Sequence, residues 1–302
     1  MMSSTAGNEL SFLDPAVVAR IGSLELIART IVEGVLGGLH RSPFQGFSVE
    51  FSEYRQYLPG DDPATIDWKL FARSDRYYVK KFEEETNLEC HLLLDVSASM
   101  GYGSHPVAKL QYGAFLAASL AYLMHRQHDG VGLTLFDDRV VESVPVGTRG
   151  GHLRRVLATL SRVAVGARSD VAMPLTGLAA RMTRRGLVVL ISDLLDDPTG
   201  IIDGLKHLRF RGSEVLVFHT LDPFELTFPF EHAARFEDLE TADDVLAVPT
   251  EVREHYLEQM HGLVERYRRE LRLADIDYHL VDTASPLDTA LQAYLATRGR
   301  RW

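Results

Sequence analysis

A single cysteine, Cys90, occurs in the 302-residue chain, so no disulfide can form within it. So few thiols suit a reducing compartment, and we expect a cytoplasmic protein. No run of about eighteen uncharged apolar residues occurs, so we expect no integral membrane span. The first residues also lack the charged-then-apolar layout of a signal peptide.

Positive charge is also scarce. The chain has 32 Lys and Arg residues against 42 Asp and Glu residues, which gives a net charge of −10. Nucleic-acid binding draws on an excess of Lys and Arg, so this balance disfavours it. Basic and aromatic residues do interleave in the segment 68–82, but acidic residues in and beside that segment cancel the positive field. We therefore expect no nucleic-acid partner.

Three common catalytic signatures are missing. The segment from Gly101 to Lys109 contains glycines and a lysine, but it does not end in Gly-Lys-Ser/Thr as a phosphate-binding loop does. This difference argues against ATP hydrolysis by this chain. The segment around Ser97 lacks the flanking glycines of a serine hydrolase elbow. Ser97 also stands where a phosphatase of the haloacid-dehalogenase type needs its second aspartate.

The first third of the chain predicts two small units before the main domain. Residues 1–40 predict a polar leader and an amphipathic helix from Pro15 to Leu36, because apolar residues recur there at intervals of three and four. Residues 41–87 are dense in charged and aromatic residues. Strand-like patterns at 47–51 and 77–82 predict a small β-rich segment there.

From residue 88 onwards, apolar strand patterns alternate with helical patterns. This order predicts an α/β domain over 88–302, with a doubly wound, mostly parallel sheet covered by helices on both faces. The strand at Val140–Pro145 should be antiparallel, because the turn at Asp137–Asp138 is too short for a crossover. Residues of about 222–249 interrupt the alternation and are expected to form an irregular insertion.

Oxygen-bearing side chains follow two of the predicted strands. Asp95, Ser97 and Ser99 follow one apolar run, Asp193 follows another, and Ser169 lies in a loop before a helix. In a parallel sheet such loops can converge at one edge. Hard cations prefer oxygen, so we predict a site for Mg²⁺, with Mn²⁺ or Ca²⁺ as alternatives. Taken singly, each aspartate or Ser169 could instead cap a helix.

The motif Asp-x-Ser-x-Ser, with a later hydroxyl loop and a later strand-end aspartate, resembles the metal-ion-dependent adhesion site of von Willebrand factor type A domains. An upstream block resembles the bacterial family known as domain of unknown function number fifty-eight, which contains such a domain. The block reads Glu53-Tyr54-Arg55-x-Tyr57-x-x-Gly60-Asp61-Asp62, Ile66-Asp67-Trp68-Lys69, Ala72-Arg73, Val79-Lys80 and Phe82-Glu83.

The resemblance implies a Rossmann-like von Willebrand factor A fold with the metal held by Asp95, Ser97, Ser99, Ser169 and Asp193. In the adhesion site, threonine usually stands where this chain has Ser169. Many relatives in the family of unknown function carry transmembrane helices, and we expect none in this chain. The resemblance also implies a partner, a MoxR-type AAA+ ATPase.

The function expected from the site and the resemblance is non-enzymatic. An open metal position would bind an acidic side chain of a partner or client, and the protein would act as an adaptor or co-chaperone. A metal-dependent hydrolase using the same carboxylates is an alternative, although no general base is evident. A structural scaffold with a degenerate site is another.

Overall fold

A computed structural model describes residues 14–39, 54–56, 71, 77–80, 88–166, 168–182, 184–241 and 243–299. Nine α-helices lie in this part of the chain. They are Pro15–Val18 (α1), Leu24–Leu39 (α2), Lys109–Arg126 (α3), His152–Leu160 (α4), Ala172–Arg181 (α5), Pro198–Phe210 (α6), Pro223–Thr227 (α7), Pro249–Leu273 (α8) and Leu287–Gly299 (α9).

Ten β-strands lie in the same described ranges. They are Tyr54–Gln56 (β1), Tyr78–Lys80 (β2), Glu89–Asp95 (β3), Gly130–Phe136 (β4), Val140–Gly147 (β5), Leu187–Ser192 (β6), Glu214–Leu221 (β7), Ala234–Glu237 (β8), Asp244–Ala247 (β9) and Asp277–Asp282 (β10).

Six of these strands form the central sheet in the order β10-β7-β6-β3-β4-β5. All neighbours are parallel except β4 and β5, which pair antiparallel with Leu133 opposite Val144. The short turn after Phe136 forces this reversal, as the sequence predicted. The strand order changes direction between β3 and β6, and ligands of open α/β sheets bind at such a point. The predicted fold class is confirmed.

Two apolar layers cover the sheet because successive residues of a buried strand point to opposite faces. Leu92 and Leu94 of β3 belong to the core beneath α2, α3, α4 and α9, whereas Leu93 belongs to the core beneath α5, α6 and α8. Strand β6 is buried along its whole length. The rigid centre of the molecule is therefore the β3–β6 pair, and both end at the same edge.

Two expectations from the sequence are corrected. The helix expected from Pro15 to Leu36 is divided into α1 and α2, with residues 19–23 between them, and it continues to Leu39. The Ser23 hydroxyl accepts a hydrogen bond from the Leu26 amide at 3.4 Å, which helps to start α2. The insertion at about 222–249 is not irregular, because it contains α7 and the β8–β9 hairpin.

Strands β1 and β2 pair antiparallel, with Arg55 opposite Val79. The remaining expectations for the region before residue 88 lie outside the described residues: the leader at 1–13, the strand at 47–51, and the family-block residues Asp61, Asp67 and Arg73. The domain boundaries stay a prediction. Within the described ranges, no helix combines the length and apolarity needed to cross a membrane.

Candidate functional site

Two carboxylates meet at the edge of the sheet where β3 and β6 end. Asp95 is the last residue of β3, and Asp193 follows the last residue of β6. The two strands are adjacent and parallel, with Leu94 opposite Ile191, so their ends lie side by side. Both aspartates are buried, at 0% and 1% exposure. The sheet register therefore brings together two residues that are far apart in the sequence.

The loop after β3 folds around the Asp95 carboxylate. Its Oδ1 atom accepts a hydrogen bond from the Ser97 amide at 2.9 Å, the kind of local turn that aspartate favours. The hydroxyl oxygens of Ser97 and Ser99 lie 3.1 Å apart. Residues Ala98–Gly101 form a 3₁₀ turn that continues from this pair. The Asp-x-Ser-x-Ser motif thus places two hydroxyls beside one buried carboxylate.

The loop after β6 supplies a hydroxyl that the sequence analysis did not select. The Ser192 hydroxyl donates to Asp95 Oδ2 at 2.6 Å, and its oxygen accepts from the Leu194 amide at 3.0 Å. Leu194 has a φ of 52°, in the left-handed region that costs a branched residue roughly 1–2 kcal/mol. Tertiary contacts hold this conformation, since Leu194 is fully buried.

The third predicted loop lies against the first. The Gly166 amide donates to the Val96 carbonyl at 2.6 Å, so the loop approaches the motif. The Ser169 amide donates to Glu240 Oε2 at 3.1 Å. The Ser169 hydroxyl oxygen is buried, and no hydrogen-bond partner for it exists among the described residues. No hydrogen bond joins Ser169 to the other four predicted ligands within those residues, although its loop contacts Val96, which lies between Asp95 and Ser97.

A buried lysine completes the site. Lys109 is the first residue of α3, and its ammonium donates to Asp193 Oδ2 at 2.8 Å and to Glu225 Oε1 at 2.6 Å. Burial alone would lower the pKa of Lys109, but the two carboxylates outweigh it and raise that pKa. Burial likewise raises the pKa of Glu225, against the opposing effect of Lys109. Lys109 therefore stays charged and links α7 to the sheet edge.

The site carries more negative than positive charge. Burial and then the negative charge of Asp193 raise the pKa of Asp95 to about 7. Three carboxylates, those of Asp95, Asp193 and Glu225, are thus opposed by the ammonium of Lys109. A carboxyl group with such a pKa can hold a proton near neutral pH, and a cation that binds to it would displace that proton.

The donor set is compatible with a divalent cation. Hydroxyls of Ser97 and Ser99 lie together, the buried hydroxyl of Ser169 has no partner among the described residues, and two carboxylates stand behind them. All of these donors are oxygens, which hard cations require. Within the described residues, no group of three or more His, Cys, Asp or Glu side chains is placed to hold a metal. A cation here would therefore depend on the serine hydroxyls.

Sequence reasoning missed Ser192, Lys109 and Glu225. Ser192 could have been found from the pairing of the two apolar strands, because parallel register sets it beside Asp95. Lys109 looked like an ordinary residue at the start of an Ala- and Leu-rich helix. Nothing in the spacing of the chain connects it to Glu225, which lies 116 residues later.

The chain is similar to several solved structures. The structure of the conserved hypothetical protein BatB from Bacteroides thetaiotaomicron matches 71% of this chain and 100% of that chain, with a TM-score of 0.51 and 15% identity. The structure of the SpRpn10 VWA domain matches 68% of this chain and 94% of that chain, with a TM-score of 0.38 and 12% identity. At this level of identity, the BatB match concerns the fold alone.

Relatives in sequence are closer. The uncharacterized protein Rv1480 of Mycobacterium tuberculosis (strain ATCC 25618 / H37Rv) is 31% identical over 221 residues, which cover 72% of this chain and 68% of that protein. The profile of the family described as "Protein of unknown function DUF58" matches residues 53–264. The resemblance to this family inferred from the sequence motifs is confirmed: the chain belongs to the DUF58 family.

Proposed function

We propose that this protein is a non-enzymatic interaction module whose sheet-edge site holds a divalent cation, Mg²⁺ in the first place. Asp95, Ser97, Ser99, Ser169 and Asp193 would hold it. The observation that carries the proposal is the pair of hydroxyls 3.1 Å apart beside the buried carboxylate of Asp95. An excess of buried negative charge with oxygen donors favours a hard cation.

Some residues of the site would contact the cation, and others orient Asp95. Ser97, Ser99 and Ser169 offer neutral oxygens, so a bound cation would keep part of its charge for a further ligand. The Ser192 hydroxyl and the Ser97 amide orient Asp95. When bound, the cation would supply an open coordination position for a carboxylate of a partner. We propose a MoxR-type AAA+ ATPase, or a client protein with an exposed acidic side chain, as that partner.

One observation favours a second candidate, a metal-free scaffold. The Lys109 ammonium already neutralises Asp193 at 2.8 Å and is itself fully buried. In this alternative, Lys109 is the permanent cation of the site, and the surface around it binds partners without metal.

Calorimetric titration with Mg²⁺ and Mn²⁺ separates the two candidates. Wild-type protein should bind one of these ions, and Ser97→Ala and Asp193→Ala should weaken that binding at least tenfold. Ser161→Ala is the matched control, because the exposed Ser161 hydroxyl bonds only to the Ala158 carbonyl in its own helix turn. Binding should also raise Tm, since a ligand of the folded state stabilises it.

Partner capture provides the second measurement. A purified MoxR-type ATPase should be retained by wild-type protein in Mg²⁺ and released by EDTA. Retention that is the same with EDTA, or with the double variant Ser97→Ala and Asp193→Ala, would show that no metal bridge exists and would favour the scaffold. Absence of ion binding in the titration would also show that no metal bridge exists and would favour the scaffold.

A further inference from the structure

A cavity lies next to the candidate metal site. It has a volume of about 590 Å³ and is bounded by Ser99 and Tyr102 on one side and by the segment 224–240 on the other. Ser99 is also the residue whose hydroxyl lies 3.1 Å from that of Ser97. The cavity and the proposed cation position therefore share a wall.

Aromatic rings form much of this wall. Phe228 lies at the centre of the cluster, with its ring centroid 4.5 Å from Tyr256, 5.1 Å from Phe230 and 5.5 Å from Phe236. Phe224 packs against Phe230 at 5.6 Å. Such a cluster gives a stiff apolar surface, because aromatic side chains have few rotatable bonds.

Hydrogen bonds from α8 fix the cluster in place. The Arg253 guanidinium donates to the Phe228 carbonyl at 3.0 Å and to the Phe230 carbonyl at 2.5 Å. The Tyr256 hydroxyl donates to the Glu225 carbonyl at 3.0 Å, and Glu225 itself accepts from Lys109. The cavity is thus preformed and tied to the same network as Asp193.

Apolar side chains around the cavity remain exposed. Leu239 is 51% exposed, Leu195 42% and Phe224 38%. Exposed apolar residues around a concave, aromatic surface are typical of binding sites. A ligand that covers these exposed side chains must have a bulky apolar group.

The lining of the cavity is acidic. It includes Glu225, Glu237, Asp238 and Glu240, and its one basic side chain, Arg235, is paired with Asp244 at 2.7 Å. Asp238 accepts backbone hydrogen bonds from Glu240 and Thr241, which lower its pKa and keep it ionised. Among these lining carboxylates, Lys109 pairs with Glu225, and Arg168 lies close enough to Asp238 to lower its pKa. The four carboxylates still outnumber these two cations, so the field at the rim is negative and favours a cationic group.

We propose that this cavity is the specificity pocket of the interaction site and receives a protein segment with a bulky apolar residue next to a basic one. This inference rests on the proposed function, in which an acidic residue of the same segment would reach the cation beside Ser99. The cavity would then decide which acidic segments bind.

A peptide series tests the inference. The probes are fluorescein-labelled peptides with a central aspartate in a Gly-Ser background. Each flanking position is scanned through Phe, Leu, Ala, Arg and Glu, singly and in pairs, with Kd from fluorescence anisotropy in Mg²⁺ buffer. We expect one arrangement with Phe or Leu beside Arg to bind at least about tenfold more tightly than its Ala and Glu counterparts.

Two pairs of protein variants show where the peptide lies. Leu239→Ser should abolish the preference for Phe or Leu, whereas Leu246→Ser should not, because Leu246 is 79% exposed but lies outside the cavity lining. Glu237→Lys should abolish the preference for Arg, and Glu231→Lys, an exposed position also outside the lining, should leave it intact. Circular dichroism confirms folding of all four variants.

The results distinguish the pocket from the metal bridge. Absence of any sequence preference, or equal effects of Leu239→Ser and Leu246→Ser, overturns the pocket even if binding needs Mg²⁺. A preference for Phe or Leu with Arg that persists in EDTA and in Ser97→Ala supports the pocket and overturns the bridge.

Discussion

The buried ion pairs of Lys109 offer the sharpest test of the electrostatics of the site. The change Lys109→Met keeps an unbranched side chain of similar length and removes only the charge. The lysine ammonium is fully buried and contacts Asp193 at 2.8 Å and Glu225 at 2.6 Å. Removal of the cation would leave both carboxylates without their shared partner, beside the already crowded Asp95.

The expected loss of unfolding free energy is large. Breaking a buried pair by removal of one partner costs about 3–5 kcal/mol, because the remaining charge stays desolvated. Two carboxylates depend on Lys109, so we expect a value at the upper end of this range at pH 8. The loss should shrink at pH 5, because burial raises the pKa of Glu225, which can then take up a proton and relieve part of the unpaired charge.

Urea unfolding followed by far-ultraviolet circular dichroism measures this loss. Lys206→Met is the matched control, because Lys206 pairs with Glu270 at 3.2 Å but the two side chains are 41% and 30% exposed. An exposed pair contributes at most about 1 kcal/mol, so the control should change little. Equal losses in the two variants, or a loss below about 1 kcal/mol for Lys109→Met, would refute the assignment of Lys109 as the buried counter-charge of the site.

Further predictions concern pH and two glycines. Burial lowers the pKa of His219 to about 4, whereas an unfolded histidine has a pKa of about 6.5. The wild-type free energy of unfolding should therefore fall by about 1.4 kcal/mol per pH unit as the pH drops from the unfolded towards the folded pKa. His219→Gln should lack this fall in urea unfolding. Gly262→Ala, exposed in α8, should raise unfolding free energy by up to about 1 kcal/mol. Gly186→Ala should lower Tm, because its Cβ would clash with the Glu89 carbonyl oxygen.

Each of these has an outcome that contradicts it. Parallel stability curves for wild type and His219→Gln between pH 7 and pH 4 would show that folding does not lower the pKa of His219. A lower Tm for Gly262→Ala would mean that this face of α8 has no room for a methyl group. An unchanged Tm for Gly186→Ala would show that the start of β6 can move away from β3.

Much of the fold could be predicted from local pattern. The apolar runs at residues 92–94 of β3 and 187–191 of β6 are buried because a parallel sheet covered on both faces excludes polar side chains from its centre. The antiparallel β5 followed from the short turn after Phe136. An apolar spacing of 3.6 or 2 residues predicts a helix or a strand because that spacing places the apolar side chains on one face, which the fold buries.

Local pattern failed where tertiary contacts decide. The apolar spacing continues across the break between α1 and α2, so periodicity alone could not reveal it. The segment 224–240 has no clear period, since its shape depends on rings that meet through Phe228 and on carbonyls held by Arg253. These contacts join residues that the sequence separates.

The same division applies to the site. The sequence by itself determined the oxygen donors: Asp95 ends one strand, Ser97 and Ser99 lie in the loop after it, and Asp193 directly follows another strand. Only the tertiary structure decided the charge around them, because Lys109 and Glu225 come from two helices that are distant in the chain. A sequence motif describes groups within one loop, whereas the electrostatic potential at the site depends on every buried charge that folding brings near it.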